Sequence, residues 1–228
     1  MRLSVVLPVL DEAARLGRCL ATLRAMPGID EIVVVDGGSR DGSAEIARAV
    51  PGVRVVAAPR GRGTQLNAGA RAALGDVLLF LHADTTPPRD TAAWVARALA
   101  DPGVVAGAFR IRTVADDGPN WLGPLLRLAD LRSRWSRLPY GDQAVFVRRA
   151  AFARVGGFPD QPLMEDIELA RRLRRVGRIR TVPAVVEVSG RRFLARPVRT
   201  VLALRLLPLL YRLGVPPARL ARLYGDPR

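Results

Sequence analysis

The stretch "DEIVVVDGGSRDGSAEIARAV", residues 30–50, decides how this chain is read. Ile32, Val33, Val34 and Val35 follow one another with no polar residue between them, and all four are β-branched. That pattern belongs to a short strand covered on both faces rather than to one with a wet side. Asp36, Gly37 and Gly38 end the strand in a turn, and "GSAEIARAV" then reads as a helix capped by Ser39, Asp41 or Ser43. An apolar strand feeding a helix in this way is half of a βαβ unit, and such units build parallel sheets.

The same alternation extends in both directions. Upstream, "LSVVLPV" (3–9) reads as a buried strand and "DEAARLGRCLATLRAM" (11–26) as an amphipathic helix with acid at its start and Pro-Gly after it. Downstream come the strand "VRVVAAP" (53–59), the helix "GTQLNAGARAAL" (63–74), the strand "DVLLFLHAD" (76–84) and the helix "DTAAWVARALA" (90–100). Beyond residue 100 the pattern predicts a strand "VVAGAFRIRTV", a helix-like stretch over 119–135 and a short strand "QAVFVRR". A helix "MEDIELARRLRRVG", strands near "RIRTVPAVVEVS" and one or two helices from about 197 to 224 complete the chain. The fold class expected is α/β, with a mainly parallel central sheet flanked by helices and a helical C-terminal tail. No Ser/Pro-rich linker divides the 228 residues, so one domain is expected. Open sheets of this kind bind ligands outside the carboxyl ends of their strands, where Asp11, Asp36, Arg60 and Asp84 fall.

Charge and cysteine content narrow the setting. The net charge is +15 and all 36 basic residues are arginine, an excess that favours polyanionic or anionic-membrane partners by long-range attraction without choosing between them. The single cysteine, Cys19, cannot close an internal disulfide and shares a helix stripe with Leu16, Leu20 and Leu23, as a small core-facing residue would. The apolar run at the N-terminus meets Asp11 and Glu12 at once, unlike a signal peptide. The apolar tail "VLALRLLPLLYRLG" is broken by Arg205, Pro208 and Arg212, well short of the ~20 residues a span needs. A cytoplasmic protein is expected, touching the inner face of a membrane at most. Residues 198–213 place Leu202, Leu206, Leu209 and Leu210 on one helix face and Arg205 and Arg212 on another. That segment either lies on an anionic membrane, closes the core, or forms a contact in a homo-oligomer.

Three groups of residues have chemistry to offer. Asp36 can accept hydrogen bonds from the base or ribose of a nucleoside, with Gly37 and Gly38 allowing close approach, although an acid-glycine turn also occurs in proteins without that role. The dinucleotide fingerprint G-x-G-x-x-G is absent after the first strand, where "PVLDEAARLG" stands, which argues against a nicotinamide dehydrogenase. In "LHADT" a strict strand would point His82 and Asp84 to the same side, toward one Mg²⁺ or Mn²⁺ ion or one diphosphate. The alternatives are a turn cap for Asp84 and a hydrogen-bonded strand-end side chain for His82. In "MEDIELARRL", Glu165 and Asp166 open a helix whose dipole favours acid, and two adjacent acids can also supply a general base. Glu168 pairs with Arg172 one turn on.

In this order, "PVLDE", "VVVDGGSRDGS", "GRGTQLNAG", "LHADT", "GDQAVFVRR" and "MEDIELARRL" resemble the successive motifs of family 2 glycosyltransferases with a GT-A fold, from about residue 3 to residue 195. The chain is most similar to short bacterial members without transmembrane helices. The resemblance implies an inverting, metal-dependent transfer of a sugar, of the hexosyltransferase type, from a UDP-linked donor to an acceptor hydroxyl on a lipid or small molecule. Residues 1–115 would form the nucleotide-sugar-binding half, 116–195 the acceptor and catalytic half, and 196–228 the tail. Pro8, Val9, Asp11 and Glu12 match the segment that holds the nucleotide base, and Asp36 with Gly37 matches the acid turn on uracil or ribose. Arg60, Gln65 and Asn67 match the loop and helix that close over the nucleotide sugar. His82, Ala83 and Asp84 occupy the DXD metal motif, making Asp84 the expected ligand of Mn²⁺ or Mg²⁺, with His82 as a second candidate where an acid is usual. Gly141, Asp142 and Gln143 match an acceptor-side segment, and Asp166, beside Glu165, matches the catalytic base. Arg191 and Arg192 stand where relatives set a basic residue against the leaving diphosphate. No nucleic-acid partner is expected. Two rival readings are a nucleotidyltransferase-like enzyme and a non-catalytic nucleotide-sugar-binding protein. The first would show a glycine-rich phosphate loop that "PVLDEAARLG" lacks.

Overall fold

A computed structural model describes residues 1–114, 141–190 and 197–225. The helix-like stretch expected over 119–135 lies outside the described residues. Among the described residues eight strands form one sheet: β1 (Leu3–Val9), β2 (Glu31–Asp36), β3 (Val53–Ala57), β4 (Val77–Phe80), β5 (Thr85–Thr86), β6 (Val104–Val114), β7 (Phe146–Arg148) and β8 (Arg178–Ser189). The helices are α1 (Ala13–Arg24), α2 (Ser43–Arg48), α3 (Arg62–Ala72), α4 (Thr91–Leu99), α5 (Arg149–Arg154), α6 (Glu165–Leu173), α7 (Pro197–Arg212) and α8 (Pro217–Tyr224). The spatial order is β3-β2-β1-β4-β7-β6-β8-β5. Strands β3, β2, β1 and β4 run parallel, β7 is antiparallel to both of its neighbours, and β6 and β8 are again a parallel pair. The mainly parallel sheet expected from the strand pattern is therefore present.

The run that opened the reading is β2, and all six of its residues are buried. Alternate residues of β1 and β2 face opposite layers. Leu3, Val5, Leu7, Val9, Ile32 and Val34 pack with Leu16, Leu20 and Leu23 of α1, Ala47 of α2, and Val95 and Leu99 of α4. Val6, Val33 and Val35 join Leu66 and Ala70 of α3, Phe152 of α5, and Leu169 and Leu173 of α6 on the other face. Two-sided burial is why these strands carry no polar alternation.

Two local choices shape the site edge. The last β1–β4 pair is Val6 with Phe80, after which the amide of Leu81 donates to the Val6 carbonyl and β4 leaves the sheet. Pro8, two residues further along β1, faces the same side, so its missing N–H falls where no strand lies alongside. A crevice thus opens between β1 and β4, where the strand order reverses. Gly69 sets the depth of α3: a Cβ there would come within 2.7 Å of Val35 and closer still to Val6. Only a glycine lets α3 sit low enough on β1 and β2 for the Gln65 side chain to reach their carbonyls.

Candidate active site

The first two loops at the carboxyl edge are laced together. The Asp11 and Glu12 amides donate to the hydroxyls of Ser39 (3.0 Å) and Ser43 (2.9 Å), and the amide of Ala13 donates to Asp41 (2.8 Å). In return the Arg40 amide donates to the Asp11 carboxylate at 2.8 Å. Ser39, Asp41 and Ser43 thus tie the α2 loop to the start of α1, and α2 has no side-chain cap of its own, since its N-cap is Gly42. Hydrogen bonds from Ser43 and from the Ala13 amide hold the Asp41 carboxyl below the usual carboxylate range. Asp36 accepts from the amides of Gly38 (3.1 Å) and Ser39 (3.2 Å), which fixes its carboxylate at the end of β2.

Gln65 and Asn67 spend their amides on the backbone. Gln65, 4% exposed, donates to the carbonyls of Val9 and Val35, both at 2.9 Å, and clamps the ends of β1 and β2. The space that Gly37 leaves open is filled by that same Gln65 amide, 2.9 Å from where a Cβ would stand. Asn67 donates to the Phe158 carbonyl at 2.8 Å and accepts from its amide at 2.9 Å. Arg60 is exposed in the loop before α3.

Position 82 to 84 is a turn. Strand β4 ends at Phe80, and the Thr85 amide donates back to the His82 carbonyl at 3.1 Å. The alternation expected of a continuous strand is therefore broken, because β4 leaves the sheet before His82. The Asp84 carbonyl accepts from the Ser189 amide at 3.0 Å, and β5 pairs with the end of β8, bringing Asp84 beside Ser189. Arg191 and Arg192, two residues further on, lie outside the described residues. Burial, with the nearby charges of Asp84 and Glu12, pushes the Cys19 thiol up to about 12. His82 instead lines a narrow, mostly apolar hollow together with Arg62, Phe80, Gly141, Glu165 and Asp166.

The carboxylate pair at the start of α6 is the most constrained part of this hollow. Arg62, the first residue of α3, pairs through Nε with Glu165 and through a terminal nitrogen with Asp166 at 3.5 Å. The Gly141 amide donates to Asp166 at 2.7 Å, fastening the turn Gly141–Gln143 to α6. Gln143, 1% exposed, donates to the Phe109 carbonyl at 3.0 Å, and Asp142 adds to the negative field on Arg62. Burial raises the Glu165 pKa, with Arg62 opposing and Asp166 reinforcing the shift. For Arg62, burial disfavours the cation, but Glu165, Asp166 and Asp142 outweigh it and hold the guanidinium charged. The Glu165 side chain is 2% exposed, whereas that of Asp166 keeps 12%. Asp166 is thus the member of the pair that can meet a ligand. Among the described residues three non-glycine positions have positive φ, Asp11 (53°), Ala144 (47°) and Met164 (65°). They sit in the first loop, after the 141–143 turn and at the head of α6, the positions where functional sites hold strained backbone.

Sequence reading missed Arg62. Its signal was present in "GRGTQLNAG", where the second arginine opens the helix, but only the fold brings residue 62 against residues 165 and 166. A divalent ion fits this donor set in one way. Among the described residues no group of three or more His, Cys, Asp or Glu side chains could hold a metal. An ion would have to be shared between Asp84 and the phosphates of a substrate, the usual arrangement for Mg²⁺ and Mn²⁺ with nucleotides.

Behind the pair, α7 and α8 cover α6. Leu207 and Leu220 pack with Met164 and Ile167, and the Tyr211 hydroxyl lies 3.4 Å from Glu168. Leu202, Leu206 and Leu209 of α7, and Leu213 just past its end, are exposed. No described helix is long and apolar enough to cross a membrane.

A family model described as Glycosyl transferase family 2 matches residues 4–158, ending just before the Glu165–Asp166 pair. The chain is 36% identical over 142 residues to the undecaprenyl-phosphate 4-deoxy-4-formamido-L-arabinose transferase of Pseudomonas paraeruginosa, covering 57% of this chain and 42% of that protein. A probable glycosyltransferase of Bacillus subtilis is 26% identical over 214 residues, with 81% of this chain and 50% of that one covered. The chain spans half or less of the length of the curated relatives it matches. In fold it resembles a mannosyltransferase of Pyrobaculum calidifontis solved with GDP-Man and Mn²⁺ (TM-score 0.67, 23% identity, covering 98% of this chain and 68% of that one). It also resembles the glucosyl-3-phosphoglycerate synthase of Mycobacterium tuberculosis solved with Mn²⁺ and uridine diphosphate (TM-score 0.61, 24% identity, 94% and 79% covered). These likenesses establish the GT-A architecture of the sheet and its helices.

Proposed function

Because the chain belongs to glycosyl transferase family 2, we propose that it is an inverting, metal-dependent hexosyltransferase that moves a sugar from a UDP-linked donor to an acceptor hydroxyl. The observation that supports this reading best is the carboxylate pair in its hollow beside the β1–β4 crevice. Asp166 keeps surface there, while Arg62 and the Gly141 amide hold it in place. Residues 1–115 would take the nucleotide sugar, through the laced loops around Asp11, Glu12 and Asp36 and through Arg60. Residues 116–195 would take the acceptor, through the turn Gly141–Gln143.

In this reading Asp166 removes the proton of the acceptor hydroxyl as its oxygen attacks the anomeric carbon. The new C–O bond forms on the face opposite the leaving group, the bond from that carbon to the diphosphate oxygen breaks, and the sugar's configuration inverts. Asp84, with His82 nearby, would hold Mn²⁺ or Mg²⁺ together with the donor's phosphates, and the ion would neutralise charge on the departing diphosphate. Pro8 and Val9 form the floor on which the base rests. Gln65, Asn67 and Gly37 support this edge rather than touching the sugar, since their hydrogen bonds go to backbone: Gln65 to Val9 and Val35, Gly37 to Val9, and Asn67 to Phe158.

The exposed leucines of α7, with exposed Arg212 on the same helix, fit a peripheral contact with an anionic membrane at the cytoplasmic face. The acceptor would then be a lipid, as the undecaprenyl-phosphate in one relative's name suggests. Incubating the protein with Mn²⁺ and a panel of UDP- and GDP-sugars, with release of free nucleotide diphosphate as the readout, tests the donor half of the reading. Binding without any turnover would leave a nucleotide-sugar-binding protein instead.

A further inference from the structure

Arg62 bridges both members of the Glu165–Asp166 pair, reaching across from α3 to α6. Helix α3 carries it, and α3 is pinned to the nucleotide edge of the sheet by Gln65 on Val9 and Val35. Helix α6 carries the acids, and Asp166 in turn holds the Gly141 amide of the turn expected to face the acceptor. One guanidinium therefore connects the donor side, the acid pair and the acceptor side. Its charge is also what allows Glu165, 2% exposed among Leu66, Phe158 and Leu169, to sit beside a second carboxylate. The charges acting on Glu165 are Arg62 from α3 and Asp166 on its own helix; Asp142 on the 141–143 turn acts on Arg62, and His82 from the turn after β4 lines the same hollow.

We propose that Arg62 is a positioning residue for the transfer step: by reaching both Glu165 and Asp166 from α3 it keeps the Asp166 carboxylate aimed into the hollow, without itself binding the donor. This rests on Asp166 being the base. With Arg62 gone, two carboxylates share one buried site with no cation between them; the pair then binds a proton more tightly, and that proton competes with the one the acceptor hydroxyl would deliver.

The test compares Arg62→Met, Arg62→Lys and Arg62→Met/Glu165→Gln with the parent protein, using UDP release from the most active UDP-sugar, binding of UDP with Mn²⁺, and thermal unfolding. Arg62→Met should move the acidic limb of the kcat profile upward by roughly 1–3 pH units, the span an adjacent opposite charge controls, with UDP affinity unchanged. The Glu165→Gln second change should return that limb toward the parent's position, because it removes the competing charge. Arg62→Lys should rescue partly, as a point charge without the fork that spans two carboxylates. A loss of UDP affinity or a higher donor KM in Arg62→Met, with the pH limb unmoved, would show that Arg62 binds donor and overturn the proposal. If the parent protein releases no nucleotide and binds no UDP, the functional reading fails, and thermal unfolding still decides the pairing. The Tm loss in Arg62→Met should then be larger near pH 8 than near pH 5, where Glu165 can be protonated. An equal loss at both refutes it.

Discussion

Asn67→Ala separates a structural role from a ligand role at a position where the family resemblance implies donor contact. The side chain makes two hydrogen bonds to one residue, donating to the Phe158 carbonyl at 2.8 Å and accepting from its amide at 2.9 Å. They join α3 to the segment ahead of α6 across 91 residues of chain, and Phe158 is 6% exposed. Removing both leaves a buried donor and a buried acceptor. At a net 0.5–1.5 kcal/mol per bond, plus a desolvation penalty for the orphaned groups, the loss is about 2–4 kcal/mol. For a chain of this size that is roughly 4–16 °C in Tm. Phe158 also packs edge-on against Phe80 and Phe152, with ring centroids 4.9 and 5.6 Å away, so the loosened segment should raise mobility under the hollow. Calorimetric unfolding measures the first effect, and titration of UDP in the presence of Mn²⁺ tests the second claim, that affinity stays within a few-fold of the parent. A Tm within about 2 °C of the parent, well below that span, together with a sharp loss of UDP affinity, would mean that Asn67 faces ligand.

Further outcomes follow from the same geometry. Asp166→Asn should lower kcat by about 10²–10⁴, the usual contribution of a positioned general base, with UDP binding retained; activity within a few-fold of the parent would place the base elsewhere. Because burial raises its pKa above the ordinary 4.5, Glu165 contributes stability that is complete below that value and is lost as pH rises through the folded-state value. Glu165→Gln should therefore flatten the decline of Tm from acid toward neutral pH, and an unchanged slope would remove Glu165 as its source. Replacing Leu202, Leu206, Leu209 and Leu213 together by Ser should abolish flotation with vesicles containing anionic phosphatidylglycerol while leaving UDP binding intact; persistent flotation would take α7 out of the membrane contact.

Much of the fold is legible in the chain because two-sided burial leaves a plain signal: unbroken runs such as Ile32–Val35 and Val77–Phe80 have no other favourable placement. The long strand over 104–114 and the tail helices also follow from local pattern. The site is less legible, for a reason visible at three residues. Gln65, Asn67 and Arg62 lie within one short segment and look alike as polar positions. Gln65 clamps two strand ends, Asn67 ties a distant loop, and Arg62 neutralises acids over a hundred residues away. Those partners are set by how far α3 sinks at Gly69 and by where α6 is pressed by the tail, and neither is a local property. The alternation argument at His82 and Asp84 failed because β4 ends at Phe80, and strand ends are decided by neighbouring strands rather than by the residues themselves.

The central claim, a nucleotide-sugar transfer with Asp84 on the metal and His82 secondary, is tested most directly by Mn²⁺-dependent UDP release from a UDP-sugar in the parent, Asp84→Ala and His82→Asp proteins. The account predicts release that EDTA abolishes, that Asp84→Ala lacks and that His82→Asp preserves. Release that survives in Asp84→Ala, or that is lost equally in both variants, would contradict it.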